Sequence, residues 1–140
     1  MMNEYKGIIN KSIINSYKEV LVIDIMDDKL YKYVVKGIEN TMDFETYNEL
    51  LLDFCDSFVE EVNKFNAYKL SGDMVNYEII VHALKSNCRT LGFINTGEMF
   101  YQHELASKQN DANYVNEHYN ELINEVNRVY AILTKYKAMV

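Results

Sequence analysis

Proline and tryptophan are absent from this 140-residue chain, and glycine occurs only five times. Without proline the strongest helix breaker is missing, and five glycines leave few other interruptions. Cysteine is scarce as well. Cys55 and Cys88 stand alone in apolar helical patterns, with no CxxC pair, so two buried thiols are expected rather than a zinc site or a disulfide. Basic residues number 14 against 21 acidic ones, giving a formal net charge of -7 and a pI near 4.9. Nucleic acid and anionic membranes select basic surfaces, so neither is expected as the main partner. No apolar run approaches a membrane span, and "MMNEYKGIINKSIINSYKEV" carries charges throughout without a signal-peptide pattern. A cytoplasmic location is expected. There is no Walker A motif and no kinase-type glycine loop, so no ATP binding and no autonomous kinase activity are expected.

What is present is helical periodicity. Hydrophobic residues make up 49% of the chain, enough for one domain with a real core. Tyr5 to Tyr17 carries Ile8, Ile9 and Ile13 at helical spacing. Val20 to Met26 is a β-rich apolar run that suits either a strand or an extended segment. A helix is expected from about Lys29 to Thr41, capped by Asp28. Beyond Asp43, Tyr47, Leu50, Leu51, Phe54, Phe58, Val62, Phe65 and Leu70 form one stripe, up to a break at Ser71 to Asp73. Further helices are expected from about Asp73 to Leu91, ending at Gly92, from Asn95 to Gln109, and from Ala112 to Ala138. Four helices with short connections and one apolar stripe each make an antiparallel four-helix bundle. Residues 1–35 would form an N-terminal extension and residues 36–140 the bundle.

The helix over "VHALKSNCRTLGF" has two distinct sides. At about 100° per residue, Tyr77, Ile80, Val81, Leu84, Cys88 and Leu91 fall within one buried arc. His82 points nearly opposite its middle. Ser86 lies a turn further on, and Lys85 and Arg89 flank it. Val75 and Ile79 also point outward, with Glu78 alongside. An outward apolar cluster with a polar rim fits a docking site, but single exposed apolar residues are also ordinary. Periodicity does not choose between the two. The chemistry favours a working site. Imidazole ordinarily keeps a free lone pair near neutral pH and can act as a nucleophile. A phosphoryl group on His82 would find Lys85 and Arg89 beside it, with no acid at i+3, i+4 or i+7 on the same helix to repel it.

These residues resemble the signature of histidine phosphotransfer (HPt) domains, H-x-L-K-G followed by an apolar residue and a glycine. His82, Leu84, Lys85, Leu91 and Gly92 fall on it in register. "KGIENTMDFETYNELLLDF", "SGDMVNYEIIVHALKS" and "HELA" (His103 to Ala106) are similar to flanking parts of the family, so the likeness spans about three quarters of the chain. The resemblance implies an all-α, four-helix HPt bundle and a role in two-component phosphorelay. His82 would accept a phosphoryl group from a receiver-domain phosphoaspartate and pass it to another response regulator, without cofactor or bound metal. Lys85 would steady the phosphoryl group, and Arg89 would touch it or the partner. Val75, Glu78, Ile79 and Ser86 would form the binding face. The implied partner is a response-regulator receiver domain, with a hybrid histidine kinase as a further candidate. A monomer is expected, because a relay histidine needs its face free. Ser86 replaces the family's usual glycine, and Thr96 and His103 replace usual leucines. The competing reading is a helical module that binds a receiver or a kinase without carrying phosphate.

Other side chains have plainer readings. His103 and His118 lack metal-ligand spacing and read as ordinary bundle histidines. Asp53, Asp56, Glu60 and Glu61 read as a solvated helix face.

Overall fold

The computed structural model describes residues 28–41 and 43–139. The helix expected at residues 5–17 and the apolar run at 20–26 lie outside them. The described residues form five helices and no strand: α1 (Asp28–Thr41), α2 (Phe44–Ser71), α3 (Met74–Thr90), α4 (Ile94–Lys108) and α5 (Ala112–Met139). No helix among them is long and apolar enough to cross a membrane.

The ends of these helices are written locally. Asp43, Asp73 and Asp111 accept hydrogen bonds from the backbone N–H groups of Thr46, Asn76 and Tyr114, at 2.7, 3.1 and 3.0 Å. Each satisfies a donor of a first turn that has no partner inside its helix. Gly72, Gly92 and Asn110 adopt left-handed φ values of 72°, 97° and 55°. At each, two backbone N–H groups fold back on the last carbonyls, as where Phe93 donates to Cys88 at 2.8 Å and Gly92 to Arg89 at 3.3 Å.

The helices pack as two antiparallel pairs. Tyr136 donates to Asn48 at 2.7 Å, Cys55 to the Leu133 carbonyl at 3.5 Å, and Tyr119 to Asn66, so α2 and α5 run in opposite directions. Tyr77 with His103 and Arg89 with Glu98 set the same relation between α3 and α4. At 28 residues each, α2 and α5 are about 42 Å long. They outrun the 17-residue α3 and 15-residue α4. Helix α1 packs against the extra length. Ile38 is buried there, Tyr33 lies 4.7 Å from Phe93, and Arg128 donates to the Tyr33 hydroxyl at 3.0 Å. The Asn40 amide donates to the Arg89 and Thr90 carbonyls, and the Tyr47 hydroxyl to the Leu91 carbonyl. The C-terminal end of α3 is therefore tied by α1 and α2 together. A division at 35/36 falls inside α1.

The buried stripe expected on α3 is present in full: Tyr77, Ile80, Val81, Leu84, Cys88 and Leu91. On α2, Tyr47, Leu51, Phe54, Phe58 and Phe65 are buried, but Leu50 and Leu70, read as members of the same stripe, are exposed. Leu50 is turned about 100° from Leu51, and Leu70 sits in the last turn, past the end of the core. Helix α4 departs most from expectation. It has no apolar stripe. Its buried face is Thr96, Gly97, Phe100, His103, Glu104, Ala106 and Ser107.

Candidate functional site

The angular reading of α3 places His82 outward, and its side chain is 57% exposed. Ser86 and Arg89 are exposed on the same side, and Lys85 is half-buried at the edge. Val75 and Ile79 continue the outward face toward the N-terminus at 73% and 63% exposure, with Glu78 half-buried beside them. All seven residues expected to form the site thus lie on α3, around His82.

The eighth participant comes from α4. Glu104 is buried, its side chain 3% exposed, yet its carboxylate reaches the site. One oxygen lies 2.7 Å from His82 Nδ1 and the other accepts from Lys85 Nζ at 2.6 Å. Lys108 Nζ lies 3.5 Å from the same oxygen that meets His82. Burial by itself raises a carboxyl pKa. Here the hydrogen bonds from Lys85 and His82, with their charges, outweigh burial and hold Glu104 at about 2. It is therefore a carboxylate throughout the physiological range.

That charge fixes the imidazole. An ionised carboxylate only accepts, so a hydrogen sits on His82 Nδ1, and in the neutral ring the lone pair is then on Nε2. Lys85 Nζ is 3.4 Å from Nδ1, where the two donors share one acid. The Nδ1 edge of the ring is therefore occupied, and Nε2 is the nitrogen left for chemistry. Arg89 lies apart from this triad. Its guanidinium is over the Tyr101 ring, 5.0 Å from the centroid, and Lys85 is 5.3 Å from the same ring.

The other two histidines do different work. His103 is buried, and the Tyr77 hydroxyl lies 2.9 Å from its Nδ1. Burial, then the neighbouring His118, pushes its pKa down to about 4. His118 stacks on Tyr114 at 4.2 Å and pairs with Glu121 at 2.9 Å. Among the described residues no group of three or more His, Cys, Asp or Glu is placed to hold a metal.

Reasoning from α3 alone missed Glu104. The spacing Phe100, His103, Glu104, Ser107 puts the acid on the face that α4 buries, and of these four Phe100 alone marks that face as apolar. Comparison of the chain with protein-family models, with curated proteins and with solved structures gives no match.

Proposed function

We propose that this protein is a phosphorelay carrier of the HPt type, with α2 to α5 as its four-helix bundle and His82 as its phospho-acceptor. The observation that carries this reading is the His82–Glu104 pair. A buried carboxylate holds Nδ1 of a ring that is 57% exposed, which leaves Nε2 of the neutral ring as the nucleophile.

The step requires little machinery. The Nε2 lone pair attacks the phosphorus of a receiver phosphoaspartate. The P–O bond to the aspartate breaks, its carboxylate leaves with the electron pair, and a P–N bond forms. The ring becomes cationic as this happens, and Glu104 at Nδ1 stabilises that charge. Transfer onward reverses the same events: a ring still protonated at Nδ1 is the better leaving group. Positioning and charge neutralisation supply most of the catalysis in such transfers. Lys85, bonded to Glu104, keeps the acid from being an uncompensated negative charge beside the phosphoryl group. The bare apolar residues Val75 and Ile79, with the small Ser86 beside His82, fit the docking face of a receiver.

Incubation with a phosphorylated receiver tests the reading. Acid-labile, base-stable label is expected on the wild type and not on His82→Gln. Label on both proteins, or on neither, overturns it. Receiver binding that survives His82→Gln, with no label at any time, would instead favour the non-phosphorylated binding module.

A further inference from the structure

Two cations on α3 share one aromatic ring on α4. Lys85 Nζ and Arg89 Cζ lie 5.3 and 5.0 Å from the Tyr101 centroid, both within cation–π range. The two are held in different ways. Lys85 is also fixed by Glu104 at 2.6 Å. Arg89 has only a loose acid partner, Glu98 at 3.7 Å, and both side chains are about half exposed. Such a pair contributes little in water.

The backbone makes room for this arrangement. A Cβ on Gly97 would sit 2.8 Å from Arg89 Cγ and 3.5 Å from both Arg89 N and the Lys85 carbonyl. The absent side chain at Gly97 lets α4 come close to α3 and lets the Arg89 stem lie flat across it. The guanidinium then comes to rest on Tyr101, one turn beyond Gly97. Two like charges at i and i+4 would otherwise drive each other apart. The neutral, electron-rich ring accepts both.

We propose that Tyr101 is a positioning residue that holds Lys85 and Arg89 together on the His82 side of the molecule, as a paired cationic arm that draws an anionic phosphoryl donor toward Nε2. The proposal rests on the carrier reading for the role of the arm, and on the ring contacts alone for its placement. Tyr101 touches neither donor nor nucleophile. It acts through the two cations, and only its ring is required.

Potassium phosphoramidate is a suitable probe because it needs no partner protein. Nε2 attacks its phosphorus, the P–N bond breaks, ammonia leaves with the electron pair, and the new P–N bond forms on His82. Two measurements are made on the full chain. The first is proton NMR of the Arg89 Cδ and Lys85 Cε hydrogens. They should be shifted upfield by the ring in the wild type and in Tyr101→Phe, and not in Tyr101→Leu. The second is the rate of His82 loading at low and at high ionic strength. Tyr101→Leu should load about threefold more slowly at low salt, with the gap closing at high salt. Tyr101→Phe should load like the wild type. Arg89→Ala should show the same salt-dependent loss without altering the ring. Missing ring shifts in the wild type, or equal loading of Tyr101→Leu and wild type at low salt, overturn the proposal. Ring shifts present with no label on His82 would overturn the carrier reading and the arm's role, while the placement of the cations would stand.

Discussion

His82 and His103 are two histidines on facing helices with opposite surroundings. Both use Nδ1 for a single hydrogen bond across the α3/α4 interface. His82 meets a buried carboxylate, has its ring in solvent and is flanked by cations. His103 meets a phenol, is sealed from water and is held to a pKa of about 4. The partner and the solvent on the other edge of the ring decide the outcome, not the residue type. A carboxylate with an open edge leaves a polar ring held at one nitrogen and reachable at the other. A phenol with a closed edge makes a neutral packing element that happens to be polar.

Breaking the first half of this comparison should have the largest effect. Glu104→Ala leaves the half-buried Lys85 without its acid and should cost about 3 kcal/mol in chemical unfolding at pH 7. The same measurement against pH sharpens it. Glu104 has a folded pKa below its unfolded value, so its contribution is full above about pH 4.5 and is lost as pH falls toward 2. Wild type should lose stability across that window, and Glu104→Gln should lose much less there.

The second half should break at a different pH. His103 also has a depressed folded pKa, so the unfolded chain takes up its proton first. Wild type should lose up to about 3 kcal/mol as pH falls from 6.5 to 4. In His103→Leu this part of the pH dependence should vanish. If the variant follows the wild-type curve there, burial is not what neutralises His103.

Tyr77→Phe removes the donor from the sealed pair and keeps its packing. It should cost about 1 kcal/mol in unfolding free energy and leave phosphoryl loading of His82 unchanged. A loading defect would show that the two histidines are coupled through α3 and α4. The smallest effect on the fold should come from Ile79→Asp. It should change stability by no more than about 0.5 kcal/mol, while weakening receiver binding measured by titration calorimetry. Unchanged binding would remove Ile79 from the docking face.

Thr96 and His103 show how an unpromising sequence still packs. Both stand where leucines were expected, and both are buried. Thr96 donates to Glu125, which also holds Arg128, and His103 is bonded to Tyr77. A buried polar group is tolerated when its hydrogen bonds are made. Periodicity carries no information about that, because it scores the residue and not its partner on another helix.

The helices, their ends and the two sides of α3 are legible from residue order alone. Aspartates before first turns, Gly72, Gly92 and Asn110 after last turns, and apolar spacing near 3.6 residues act over a few positions. They read the same in an isolated segment as in the folded chain. Packing between helices sets which nitrogen of His82 is held and where Arg89 rests. Those depend on Glu104 and Tyr101, which stand 22 and 12 positions along the chain from the residues they hold. Packing of α4 on α3 brings them there, and a buried carboxylate gains its meaning only from the cations that fold around it.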